Sequence, residues 1–550
     1  MQHQGAVRLL HHPPFRLWDE ALALVGRVAA DDLDVDVQHT AKLFARGQSG
    51  AMDEALADYF GNAIEVTARG IAMNAPEAAL LCESLCRTGT PQACATRRLD
   101  DRRTTVDDYV GAGSSVDNAG VHLNAPIFGG ALWDIRRTLD PLTADRLVYR
   151  ALSAYLTPLD DFVAGRNAVL AAGRDLGLSR GQLRSVAGAF DAHGIRAGWQ
   201  QRLGVDSHTV LTDIAAFAPP AAAGGHWVLS WSTQGDGGGP AVYTGATGTS
   251  ATPTSAAPTR LSPSDGRWHV QPATDGVRAA WLADGPSAQG GRETEVLVRP
   301  LSGGPIRSVF HTSGSQGVVG QPAVSGDDVA FTVSDHTTGR TAIHLSRGGA
   351  PAVALPLPDG HNASGPVLKG GRLAWFESWG AQAAAVTAPT VYSIADGRIT
   401  AQYAVSGPQG DGLMVGGPLQ LAGGRLLWTE TPADRARHSA IRSGALDGSG
   451  VTDLLSADAP DTTRIGAITA SDEAVTYEPS YREPEDGRWT NAVLPKLWQV
   501  PLTGGTPQRL SCNRGSQTMA AADHGLRVLW LDATVGRSDL MVRDRPAGRC

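Results

Sequence analysis

The sequence predicts a multidomain chain in which a mainly α-helical half is followed by an all-β propeller of about seven blades. Three observations predict it. Residues 31 to about 200 carry long segments whose apolar residues recur every three or four positions. The composition changes at Ala218-Pro-Pro-Ala-Ala-Ala-Gly-Gly225, and beyond that point short β-rich runs return with a period near fifty. At 550 residues the chain is also too long for one core, so two or more domains are expected.

In the helical half, Asp145-Arg-Leu-Val-Tyr-Arg-Ala-Leu-Ser-Ala-Tyr-Leu156 and Gly165-Arg-Asn-Ala-Val-Leu-Ala-Ala-Gly-Arg-Asp-Leu176 read as amphipathic helices. Ala218 to Gly225 has neither periodicity nor bulk, which marks a linker. The second half repeats a unit made of a Gly or Asp turn, a few apolar residues and an aromatic. The aromatics are Trp231, Trp281, Phe331, Trp375, Trp428, Tyr477 and Trp530, spaced 50, 50, 44, 53, 49 and 53 residues apart. A second strand ending in a turn follows in most units, as in Lys496-Leu-Trp-Gln-Val-Pro-Leu-Thr-Gly-Gly505. Seven such units resemble the blades of a TolB-like or WD40-like propeller, although no WD dipeptide recurs in register. One large apolar residue per blade is expected to fill the gap between neighbouring sheets; the competing role is a ring of stacking platforms for a ligand. Binding of a protein or glycan partner is the function such a propeller implies.

Composition bounds the partners. Forty-seven Lys and Arg against 55 Asp and Glu give a net charge of −8, which argues against nucleic acid. No run of 18 apolar residues occurs, so no membrane span is expected. The opening residues, MQHQGAVRLLHHPPFRLW, lack the features of a secretory signal. Of the five cysteines, Cys86 and Cys94 flank a Thr-Gly-Thr-Pro turn and Cys512 and Cys550 bracket the last segment; either both pairs form, leaving Cys82 over, or all five are reduced.

Chemistry-bearing residues gather in the helical half. In Gln48-Ser-Gly-Ala-Met-Asp-Glu54-Ala-Leu-Ala-Asp58-Tyr-Phe-Gly61 the two carboxylates Glu54 and Asp58 stand four residues apart and share one helix face. Asp117-Asn-Ala-Gly-Val-His122-Leu-Asn124 pairs a carboxylate with an imidazole, a combination that raises the imidazole pKa and fixes its tautomer. These two segments, with Gln38-His-Thr-Ala and Tyr149 through Gly194, resemble the C-terminal helical lobe of thermolysin-family zinc metallopeptidases over residues 34 to 200.

The resemblance implies the following roles. Glu54 falls on a zinc ligand, Asp58 on the carboxylate that orients a zinc-bound histidine, and His122, held by Asp117, on the donor to the developing oxyanion. Arg97 falls on the arginine that contacts the substrate carbonyl, with Arg98 an equally good alignment. It also implies zinc, a peptide or protein substrate, an extracellular location, and structural calcium, for which Glu65 and Glu83 remain while neighbouring acidic positions read Ala78 and Leu80. The expected divisions are an unmatched segment 1–33, the helical domain 34–202, a linker 203–225 and the propeller 226–550.

The departures are as specific as the matches. At the family's spacing the HExxH motif falls on Ala30-Asp31-Asp32-Leu33-Asp34, and the oxyanion tyrosine is Ala45. His-Glu occurs nowhere in the 550 residues. Catalytic zinc needs three protein ligands and a water. Asp31, Asp34 and Asp36 would offer hard oxygen ligands that suit calcium or magnesium, and His11, His12 and His39 are the nearest histidines. The expectation is a metalloendopeptidase relative that is truncated or degenerate, or else a pseudopeptidase scaffold whose propeller binds a partner.

Overall fold

A computed structural model of the chain describes residues 40–81, 88–95, 97–101, 104–214, 216, 218–232, 239–248, 257–287, 290–380, 385–406, 413–432, 439–455, 465–480, 483–484 and 488–550. The segment 1–33, the HExxH-equivalent positions 30–34, and Asp36, His11, His12, His39, Cys82, Glu83 and Cys86 lie outside the described residues. The chain divides into two compact units. One comprises Met1–Gly204, Asp486–Ala492 and Ala533–Arg537; the other comprises Val205–Glu485, Val493–Asp532 and Ser538–Cys550.

The helical unit is built around α1 (Gly47–Arg69), which is buried on nearly all sides by Met52, Ala55, Leu56, Tyr59 and Phe60 among others. It ends at Gly70, whose left-handed backbone (φ 62°) lets the Ile71 amide reach the Val66 carbonyl at 2.9 Å. Against it pack α2 (Asp117–Thr138), α3 (Pro141–Ala154), α4 (Phe162–Asp175) and α5 (Arg180–Ala192). The last three start where the sequence caps them: Asp140 accepts from the Thr143 amide, Asp161 from the Ala164 amide, and Ser179 with Gln182 closes a capping box. Phe128, Phe162 and Phe190 meet in the core at ring separations of 5.4 to 6.0 Å. Gly165 permits this crossing, because a Cβ there would lie 2.4 Å from Met52 Sδ and 2.9 Å from the Phe128 ring. Two short strands, β1 (Leu80–Leu81) and β2 (Arg97–Arg98), pair antiparallel.

The second unit is a seven-bladed β-propeller. Six blades take four or five successive strands each, in order along the chain. The seventh is completed from both ends of the unit: β3 (His208–Leu211) pairs with the last strand, Asp539–Arg543, in the register Thr209 to Met541. Residues 203–225, expected to be a linker, therefore hold β3 and also β4 (Ala221–Ala223), the first strand of the first blade. Every repeated aromatic lies on the second strand of its blade and is buried, from 0 % exposed at Trp281, Phe331, Tyr477 and Trp530 to 7 % at Trp231. They fill the gaps between blades and are not a ligand ring. Cys512 and Cys550 form a disulfide, and Cys94 is also disulfide-bonded. Because 38 residues separate Cys512 from Cys550, replacing both by serine is expected to lower the stability of the propeller by about 2–4 kcal/mol in denaturant unfolding. No helix among the described residues is long and apolar enough to cross a membrane.

Candidate functional site

The site forms where α1 meets the first turn of α2. Glu54 and Asp58 project from one face of α1, one helical turn apart. Opposite them the chain enters α2 through a left-handed turn, with φ of 50° at Asp117, 47° at Asn118, 67° at Ala119 and 80° at Gly120. Non-glycine residues rarely adopt such angles, and runs of them concentrate at functional sites. The turn folds the Asp117 carboxylate back over the helix start, where Oδ2 accepts the Leu123 amide at 2.9 Å and Oδ1 accepts His122 Nδ1 at 2.5 Å. Asn124 braces the turn from within: it is 1 % exposed, accepts the Val110 amide at 2.8 Å and donates to the Val110 carbonyl at 3.0 Å. Sequence reasoning missed Asn124, although Asp-Asn-Ala-Gly is the kind of composition that tolerates left-handed turns.

The five residues singled out from the sequence are brought together. His122 Nε2 lies 3.3 Å from Glu54 Oε1, Arg97 Nη1 3.5 Å from Glu54 Oε2, and Arg97 Nη2 3.1 Å from Asp58 Oδ1. Of the two adjacent arginines, Arg97 faces the site; Arg98 pairs with Asp100 at 2.9 Å. Glu65 pairs with Arg69 one turn on, at 2.8 Å.

The electrostatics follow from these contacts. The hydrogen bond from His122 holds the Glu54 carboxyl below its usual range, with Arg97 adding to it against the effect of burial. Burial dominates at Asp58 and lifts it to about 6 despite the neighbouring guanidinium. Hydrogen bonds to Asp117 and then to Glu54 raise His122 to about 10, so the imidazolium persists at neutral pH and donates from both nitrogens. A histidine whose folded pKa lies above its unfolded value contributes its full stability below about 6.5 and loses it as pH rises through about 10. Thermal midpoints measured from pH 6 to 10.5 should therefore fall more steeply in the unsubstituted protein than in His122→Gln. The ring is more than half exposed, so solvent screening keeps the difference small.

A zinc site does not fit these residues. Both carboxylate oxygens of Glu54, the position the resemblance aligns with a zinc ligand, face cations of the protein. Arg97 and the His122 imidazolium thereby place positive charge directly against Glu54. Among the described residues no three His, Cys, Asp or Glu side chains are grouped so as to hold a metal ion.

Residues 41–195 match the family described as thermolysin metallopeptidase, alpha-helical domain. The extracellular elastase of Staphylococcus epidermidis is 29% identical over 180 residues, which covers 32% of this chain and 33% of the elastase. Bacillolysin of Brevibacillus brevis is 30% identical over 176 residues, covering 29% and 31%, and gelatinase of Enterococcus faecalis 28% over 210, covering 36% and 40%. The chain thus spans about a third of the length of these relatives. The helical unit is a thermolysin-family metallopeptidase helical domain, carried on a chain that also contains a seven-bladed β-propeller.

Proposed function

We propose that this chain is a metallopeptidase-derived protein whose helical domain binds peptide without hydrolysing it and whose propeller holds a protein or glycan partner. The observation that carries this reading is the engagement of both Glu54 carboxylate oxygens by His122 and Arg97, in a sequence that has no HExxH. A glutamate used in this way is an ion-pair acceptor.

In this reading each retained residue has a binding role. Asp117 fixes the His122 ring, and the Nε2–H, which rests on Glu54 at 3.3 Å in the free chain, is the donor that would turn from Glu54 to a peptide carbonyl. Arg97 anchors the opposite side against Glu54 and Asp58. An extracellular location is supported by the Cys512–Cys550 disulfide and by the extracellular elastase among the relatives.

The test is hydrolysis of an internally quenched peptide library by the full chain, with and without added zinc. The expected result is no cleavage above buffer in either condition, together with peptide binding that weakens about tenfold in His122→Ala. Zinc-dependent cleavage that disappears in Glu54→Ala would overturn the proposal.

A further inference from the structure

A second polar site lies on the propeller. Its fourth blade contains the strands Asn362–Lys369, Arg372–Trp379, Val386–Ser393 and Arg398–Gln402, and its fifth contains Leu413–Ala422, Arg425–Pro432, Ala440–Ala445 and Val451–Leu455. A cleft of about 480 Å3 opens between them, within the size range of small-molecule sites. Its walls come from the turns joining first to second and third to fourth strands. In antiparallel blades these turns fall at the same end, so the cleft opens on one face of the propeller.

The cleft is held in shape from below. Thr400 Oγ1 of the fourth blade donates to the Leu446 carbonyl of the fifth at 2.7 Å, and the Tyr403 hydroxyl donates to the Ala445 carbonyl. The two turns therefore do not need to close around a ligand.

Arg372 is the member of the lining left without an acceptor. Arg372 is half-buried, and its Nη1 is sealed from solvent with no hydrogen-bond partner. A buried donor left unmade is costly, and a guanidinium nitrogen more so than a neutral one. Arg398 lines the same cleft from the exposed start of the fourth strand, and no side-chain acceptor meets it among the described residues. Two carboxylates, Asp396 and Asp447, complete the lining on exposed turns. Two arginines against two aspartates leave the cleft without net charge. A polyanion would meet the aspartates, whereas one carboxylate can pair with the guanidinium fork while hydroxyls donate to Asp396 and Asp447.

We propose that the cleft between the fourth and fifth blades binds a small hydroxylated monocarboxylate, such as an acidic sugar, with Arg372 and Arg398 holding the carboxylate. The probe is D-glucuronate, titrated calorimetrically into the full chain, with D-glucose as the uncharged counterpart. Saturable binding of glucuronate is expected, with glucose at least about tenfold weaker and glucuronate weakened about tenfold or more in Arg372→Met and in Arg398→Met. Arg398 is exposed at the start of its strand, so its variant reports on binding whatever Arg372→Met does to folding. Absence of saturable glucuronate binding, equal binding of glucose, or binding that Arg398→Met leaves unchanged would overturn the proposal.

Discussion

Asp145→Ala is expected to destabilise the helical unit by about 3–5 kcal/mol, enough to leave it largely unfolded at moderate temperature. Asp145 on α3 and Arg136 on α2 are 7 % and 2 % exposed. The carboxylate accepts Arg136 Nε at 2.9 Å and the Tyr59 hydroxyl at 2.7 Å, so it ties α1, α2 and α3 together at one point. Arg136 Nη2 also donates to Thr67 Oγ1 at 3.2 Å. Removing the carboxylate strands a guanidinium in a site that water does not reach. Paired replacement of Arg136 and Asp145 by apolar residues of similar volume should recover most of the loss, because the main cost is the unpaired charge. Circular dichroism melts of the single and double variants measure both.

The second large effect is in the propeller. Trp530→Ala should cost about 3–5 kcal/mol, since the side chain is 0 % exposed among Leu497, Leu510, Val528 and Met541 and leaves a cavity when truncated. Its indole Nε1 donates to Asp532 Oδ2 at 3.0 Å, and Asn513 Nδ2 donates to the same oxygen at 2.9 Å. Asp532 therefore keeps a partner in the variant, and the loss reports mainly on packing. Trp268, which is 51 % exposed, is the control: Trp268→Ala should change the urea midpoint little.

The contrast between these tryptophans explains what the sequence could show. Spacing near fifty exposed the blade repeat because each aromatic occupies the same strand of a local antiparallel sheet. The closing strand β3 was not visible, since His208–Leu211 is four residues of mixed character whose partner lies more than 300 residues away. Asp145 was equally hidden. It reads as one more charge on an amphipathic helix, and only packing against Arg136 and Tyr59 makes it a buried anchor.

In the site, the one-turn spacing of Glu54 and Asp58 and the proximity of Asp117 to His122 were readable, because local geometry dictates them. The left-handed turn that aims Asp117 at His122 was only hinted at by Asn118 and Gly120. The contact of Arg97 with both α1 carboxylates was not readable. Arg97 and Arg98 are adjacent and chemically identical, and the strand pairing of Leu81 with Arg97 contributes to which one faces the site.

The claim that an ion-pair network takes the place of a metal at Glu54 is tested most directly by equilibrium dialysis of the full chain against excess zinc, followed by metal analysis. The account predicts far less than one tightly held zinc per chain, and no difference between the unsubstituted protein and Glu54→Ala. Stoichiometric zinc that is lost in Glu54→Ala would contradict it and place Glu54 in a metal site.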